Sequence, residues 1–112
     1  MSNYEIDFFA WCQTADHDKI WGWAHVGDDA TLYNFYGKRG SKFSFKRYGD
    51  LRSLELMAAK KLKAGRPTGT YAEVPIGDIG TIVPGFHEEF GHQLTLAKLF
   101  DNFHGERMNL LD

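Results

Sequence analysis

The spacing of apolar residues changes once along this chain, near Gly49, and this change constrains the fold more than any other feature of the sequence. Up to Tyr48, apolar and polar residues alternate in four runs, as they do in β-strands that bury one face. The runs are YEIDFFAWCQ, KIWGWAHV, TLYNFY and KFSFKRY. Short polar or glycine-containing segments separate them, so the first half predicts four strands in an antiparallel meander.

Alternation also predicts which side chains share a face of the sheet. In the first run these are Ile6, Phe8, Ala10 and Cys12, and in the second Trp21, Trp23 and His25. Large rings at alternate strand positions more often fill a core than form an exposed platform. We therefore expect both tryptophans, Cys12, Phe43 and Phe45 to be core residues.

After Gly49 the apolar residues follow the helical period. In LRSLELMAAKKL, Leu51, Leu54, Ala58 and Leu62 recur at spacings of three and four. Asp50 is placed to cap the amino end of this helix, and Gly65 is placed to cap its carboxyl end. Lysines in the last turn complement the helix dipole. The segment is the main predicted helix.

The last third of the chain predicts less regular structure. Residues 66–85 contain all three prolines and read as a loop with a short strand at 70–74. HEEFGH reads as a polar surface loop, and TLAKLFDNFHGER as a second, shorter helix that ends near Gly105. The sequence thus predicts one α+β domain over residues 1–112, with an antiparallel sheet of about four to five strands, one main helix and a short C-terminal helix.

Basic residues are concentrated in one part of the chain. Ten Lys or Arg and only two acidic residues lie between Lys38 and Arg66, although the formal net charge of the whole chain is −2. The stretch NFYGKRGSKFSFKRYG, residues 34–49, contains five of these cations, five aromatic residues and no carboxylate. Such a stretch is either a solvated strand face or a surface that binds an anion.

Three features of residues 34–49 favour phosphate binding over a solvated face. Alternation places Lys42 and Lys46 in a row opposite Phe43 and Phe45. Glycines at 37 and 40 allow the turn backbone to approach a ligand, and the ring of Tyr36 can stack on a base or sugar. The predicted nucleic-acid-binding residues are Tyr36, Gly37, Lys38, Arg39, Lys42, Lys46, Arg47 and Arg66.

Motifs for catalysis are not found. The sequence has no G-x-S-x-G and no P-loop spacing. His87 and His92 are five residues apart, which separates them by about 140° on a helix, so they do not form the zinc-protease pair. We expect no catalytic residue, metal or cofactor.

The single cysteine, Cys12, excludes an intramolecular disulfide and a cysteine-based metal cage. The amino-terminal residues do not resemble a signal peptide, and no apolar run reaches the length of a membrane span. The expectation is a cytoplasmic protein that does not associate with a membrane.

The order of these parts resembles the WGR domain family, over roughly residues 16–75. The family signature W-G-R-x-G corresponds here to Tyr36-Gly37-Lys38-Arg39-Gly40. DKIWGWAHV, KFSFKRY and LELMAAKKLKAG resemble the neighbouring strands and helix of the family. Residues 76–112 have no counterpart in it and are expected to form a loop and a C-terminal helix.

The resemblance implies a non-catalytic module that contacts the sugar-phosphate backbone of nucleic acid, with DNA as the expected form. Tyr36 would pack on the sugar, and Lys38 would pair with phosphate. Lysine lacks the two-pronged geometry of arginine, so selectivity is expected to be weaker than in the family. Arg39 would restore part of that geometry.

A second function remains open at this point. The C-terminal helix carries Leu96, Leu99, Phe100 and Phe103 at helical spacing, which is the pattern by which an amphipathic helix binds a partner protein. The alternative is therefore a protein-interaction or inhibitory module. If the same helix completes the core, little surface is left for such binding.

Overall fold

The computed structural model describes residues 4–27, 31–67 and 69–111, and it describes side chains as far as Phe100. Five strands form one antiparallel sheet in the spatial order β4-β3-β2-β1-β5. The strands are β1 (Tyr4–Gln13), β2 (Asp18–Val26), β3 (Thr31–Lys38), β4 (Ser44–Tyr48) and β5 (Ala72–Glu73). The predicted meander of four strands is confirmed, and β5 adds a fifth strand beside β1.

Three α-helices accompany the sheet, so the predicted α+β class is confirmed. They are α1 (Leu51–Leu62), α2 (Ile79–Ile82) and α3 (Phe86–Leu111), and a 3-10 helix at Ile76–Asp78 precedes α2. The Asp50 side chain accepts a hydrogen bond from the Ser53 backbone N–H, which confirms the predicted cap of α1. The predicted carboxyl-terminal cap was misplaced, because α1 ends at Leu62 and Lys63, not Gly65, is the cap residue.

The sheet is covered on both faces. On one face α1 contributes Leu54 and Ala58 to a core with Trp21 and Trp23. On the other face α2 and α3 contribute to a larger core, in which Phe86, Phe90 and Leu94 of α3 are almost fully buried. Each helix thus buries its apolar stripe against one side of the same sheet.

The C-terminal helix is longer than the sequence predicts. It begins at Phe86, directly before the segment HEEFGH that was predicted as a polar loop, and continues through Gly105, where the prediction ends it. Phe86, Phe90 and Leu94 are spaced at four residues, so burial against the sheet stabilises this first part despite its polar neighbours. Gly85 precedes the helix with φ 76°, a conformation that favours glycine and marks the turn into it.

A β-bulge changes the predicted face of one residue in β1. The register shifts between Ile6, which pairs with Ala24, and Phe8, which pairs with Trp23. Phe8, Ala10 and Cys12 therefore face α1, whereas Ile6 packs on the α3 side. Strict alternation misplaced Ile6 because an extra residue in one strand reverses the faces on either side of it.

The predicted boundaries of two other elements were wrong. The short strand predicted at 70–74 is restricted to Ala72–Glu73, and β4 begins at Ser44, not at Lys42. Within the part of the chain that is described, no helix has both the length and the apolar composition needed to cross a bilayer.

Candidate functional site

The strand register brings charged and aromatic side chains together on the α1 side of the sheet. Lys19 lies opposite Lys38, and Trp21 lies opposite Tyr36. One strand further, Lys46 lies opposite the buried Asn34. Since directly paired residues share a face, these side chains form one patch that spans β2, β3 and β4.

A cavity of about 460 Å³ lies between this patch and α1. Four lysines line it: Lys19, Lys38, Lys46 and Lys61. Its aromatic lining consists of Trp21, Tyr36, Tyr48 and Tyr71. No Asp or Glu of the described residues lines it, so its potential is positive. We call this space the lysine cavity.

The wall of the lysine cavity is built around Tyr71, which is 6% exposed. The Nζ atoms of Lys61 and Lys19 lie 5.1 and 5.6 Å from the centre of its ring, and the Arg66 guanidinium carbon lies 5.8 Å from it. Burial raises the pKa of Tyr71 to about 12, so this phenol stays neutral. Three cations therefore surround one uncharged ring.

Lys61 is the least favourably placed of these cations. Its Nζ lies 5.3 Å from the Trp21 ring, and no described carboxylate pairs with it. Burial lowers the pKa of Lys61, and the charges of Arg66 and Lys19 lower it further. A bound anion would offset both effects, because it would restore to this ammonium a favourable charge partner.

Five of the eight predicted nucleic-acid-binding residues lie at the lysine cavity, and the other three, Arg39, Lys42 and Arg47, lie elsewhere. Tyr36, Gly37, Lys38 and Lys46 line the lysine cavity, and Arg66 lies beside it on Tyr71. Arg47 is exposed on β4, where its position opposite Tyr33 places it on the α3 side of the sheet.

The predicted row of Lys42 and Lys46 is not formed. Lys42 precedes β4 and lines a different cavity with Phe43 and Glu89 on the α3 side. Phe43 and Phe45 are half-buried against the α3-side core, as predicted.

Arg39 forms a structural ion pair. Its Nη2 lies 2.8 Å from Asp18, and its Nε donates to the same carboxylate at 2.9 Å. Asp18 also accepts a hydrogen bond from Trp11 Nε1 at 2.6 Å, and Arg39 Nη1 donates to the Ile82 carbonyl. Hydrogen bonds from Arg39 and then Trp11 lower the pKa of Asp18, so the pair stays ionised. The guanidinium thus fastens the β3–β4 turn to β2 and to α2.

The predicted protein-binding residues occupy the outer part of α3. Leu96, Leu99 and Phe100 are 53%, 60% and 62% exposed. Phe103 lies on the same helix, but its side chain falls outside the described residues. The sequence left open whether this helix completes the core or exposes an apolar surface. Its first turns complete the core, and its later turns carry exposed apolar side chains.

The two histidines of HEEFGH are exposed on the first turns of α3 rather than in a loop. Among the residues that are described, no group of three or more His, Cys, Asp or Glu side chains is placed to hold a metal ion. Cys12 is a buried thiol beneath α1.

A separate cluster of titratable groups lies at the bulge in β1. His25 Nδ1 is 2.9 Å from Asp7, and His25 Nε2 is 3.1 Å from Glu5. Glu5 lies opposite His25 in the register, and the bulge at Asp7 brings a second carboxylate to the same ring. The hydrogen bond to Asp7 is the main cause that raises the pKa of His25, and the Glu5 charge adds to it.

The raised pKa of His25 predicts that stability falls as pH rises. Protonated His25 contributes to the free energy of unfolding through its contacts with Asp7 and Glu5. This contribution is complete below the usual histidine pKa of about 6.5 and is lost as pH rises through the higher pKa of the folded state. We expect the Tm difference between the wild type and His25→Gln to be larger at about pH 5.5 than at about pH 8.5. Thermal unfolding followed by circular dichroism measures it. Equal differences at both pH values would contradict the prediction.

Sequence reasoning missed Lys19, Lys61, Tyr48 and Tyr71, which all line the lysine cavity. Lys19 was detectable, because it lies two residues before Trp21 and so shares its strand face. Lys61 lies beside the apolar stripe of α1, where the sequence suggests only a solvated lysine.

No protein-family model, curated protein or solved structure matches the chain.

Proposed function

We propose that this protein is a non-catalytic nucleic-acid-binding module, with DNA as the expected ligand and the lysine cavity as the contact surface. The observation that carries the proposal is the composition of that cavity: four lysines, four aromatic rings and no described carboxylate. Lysine ammonium groups pair with phosphate oxygens, and aromatic faces stack on bases or sugars.

The resemblance to the WGR family supports the same site. Tyr36 and Lys38, which correspond to the signature tryptophan and arginine, both line the lysine cavity. Arg39, at the variable position of the signature, is held by Asp18 and anchors the turn. We therefore propose a divergent WGR domain in which the lysines, rather than Arg39, contact phosphate.

A cytoplasmic setting is part of the proposal, and the single buried thiol supports it.

The test of this function is the salt dependence of DNA binding. For the Lys38→Ala/Lys46→Ala double variant, we expect the slope of log K against log salt to become shallower by about two units, since each phosphate contact contributes about 0.9 on duplex DNA. Fluorescence anisotropy with labelled strands and duplexes over a range of salt concentrations measures the slope.

Arg47→Ala is the matched control for this test. It removes the same charge from the residue next to Lys46, but on the opposite face of β4. Its slope should stay close to that of the wild type. Failure of the wild type to bind any strand or duplex at low salt would refute the proposed function.

The exposed apolar residues of α3 favour one further candidate, a protein-interaction module. Leu99 and Phe100 are both more than half exposed and lie outside the buried stripe of α3. Leu99→Asp and Phe100→Asp should leave the fold intact but abolish capture of a partner protein after nuclease treatment. Capture that is unchanged by both substitutions would remove this candidate.

A further inference from the structure

The shape of the lysine cavity bears on which form of nucleic acid it binds. Its volume of about 460 Å³ falls in the range of roughly 300–1,000 Å³ that is typical of small-molecule sites. The cavity is broadly open to solvent, and its volume is larger than a phosphate group alone would fill. The cavity therefore offers space for part of a nucleotide beyond its phosphate.

The interior of the cavity is apolar and aromatic. Trp21 and Tyr71 are nearly fully buried and form its deeper lining. Tyr36, which is 40% exposed, presents a ring to the opening. A stacked base is accommodated by such rings without regard to its identity, since every base has a π face.

The cations surround this aromatic centre. Along β3, Lys38 is two residues from Tyr36, and Asn34, which lies opposite Lys46, is two residues from Tyr36 on the other side. Two residues of a strand span about 6.6 Å, so a lysine lies on either side of the ring along the strand direction. Lys61 and Lys19 approach from the Tyr71 wall.

We propose that the lysine cavity holds a single nucleotide unit, with its base on Tyr36 and its phosphate on Lys19 and Lys61. The ligand of the module is then a single strand, whose unpaired bases are free to enter, rather than an intact duplex, whose bases are paired and stacked. This inference rests on the proposed function and specifies the ligand of the same site.

Lys61 gives the inference a specific energetic basis. The Lys61 ammonium lies over the Trp21 and Tyr71 rings, and a phosphate in the cavity would offset the burial and the neighbouring charges that lower its pKa. Lys61→Met keeps an unbranched side chain of similar length and removes the desolvated charge. The variant should keep the fold, because its side chain can still pack on the Trp21 and Tyr71 rings, while it loses ligand affinity.

Competition experiments test the inference. A labelled single strand bound to the protein is challenged with a nucleoside 5′-monophosphate, the corresponding nucleoside, inorganic phosphate and the unlabelled duplex. The nucleotide should displace the strand at concentrations at which neither the nucleoside nor inorganic phosphate does. The single strand should bind about tenfold more tightly than the duplex, because a stacked base contributes enough free energy for a difference of this size.

Variants separate the interior of the cavity from general electrostatics. Lys61→Met and Tyr36→Ala should each lower affinity for the strand and for the nucleotide about tenfold. Lys60→Met is the matched control, because Lys60 is the neighbouring residue on α1, is exposed and does not line the cavity. Lys60→Met should lower the affinity for the single strand and for the duplex by the same factor, because it removes only a surface charge.

The outcomes distinguish this inference from the proposed function. If both strand and duplex bind with a steep salt dependence but the nucleotide competes no better than inorganic phosphate, the inference is wrong and the proposed function stands. Equal effects of Lys61→Met and Lys60→Met would also overturn it. If no strand or duplex binds, the proposed function fails, and isothermal titration of the nucleotide into the wild type and Lys61→Met still decides whether the cavity is a nucleotide site.

Discussion

Substitution of Gly22 by alanine is expected to destabilise the protein by about 3 kcal/mol or more, because it would overpack the centre of the sheet. A Cβ atom at this position would lie 2.3 Å from the Phe8 carbonyl oxygen and 2.7 Å from Cζ of Phe35. The first contact is with backbone, so a side-chain rotation cannot relieve it. The Gly22 carbonyl also accepts a hydrogen bond from Asn34 at 2.8 Å, which displacement of the strand would weaken.

Urea unfolding of Gly22→Ala and Gly80→Ala measures this effect. A Cβ at Gly80 in α2 would meet no atom within 4 Å, so that substitution should be neutral or stabilise by about 0.5–1 kcal/mol through the helix propensity of alanine. Equal unfolding midpoints for Gly22→Ala and the wild type would show that the sheet accommodates a methyl group here, contrary to the prediction.

Substitution of Phe90 by alanine is expected to cost about 3–5 kcal/mol, the usual range for removal of a buried phenylalanine. Phe90 is 0% exposed, and its ring centre lies 4.8 Å from those of Phe35 and Phe86 and 5.0 Å from that of Tyr4. Loss of this ring would leave a cavity at the point where α3 meets β1 and β3.

The matched control for Phe90→Ala is Leu99→Ala on the same helix. Leu99 is 60% exposed, so its truncation should change stability by no more than about 0.5 kcal/mol. Comparable losses in both variants would mean that stability depends on the propensity of the helix rather than on burial against the sheet. Both free energies come from urea unfolding under identical conditions.

Local sequence patterns were sufficient for the first 62 residues except at the bulge in β1 and at the start of β4. The alternating runs and the spacing of Leu54 and Ala58 depend on neighbours in sequence, and the four strands and α1 follow them. The bulge at Asp7 depends on pairing with β2, which no local pattern reports. The early start of α3 was missed for a similar reason: Phe86 and Phe90 stabilise that turn through contacts with distant strands.

The candidate site was only partly predictable because it is assembled from separate segments. Tyr36 and Lys38 are close in sequence, so composition alone indicated them. Arg39 looked equally available, but Asp18, which lies 21 residues earlier, neutralises it across the sheet. Lys61 and Tyr71 join the cavity only because α1 and the segment after it pack against Trp21 and Lys19 of β2.

Because β4 is an edge strand of the sheet, its charged residues Lys46 and Arg47 also affect association between molecules. An edge strand has unpaired backbone groups that can recruit a strand from a second molecule, and charged side chains oppose this association. The opposite edge, β5, has only two residues. Neutralising Lys46 thus removes both a proposed phosphate contact and part of the protection against edge-to-edge aggregation. In the proposed function, the solubility of this chain and its affinity for phosphate would then depend on the same side chain.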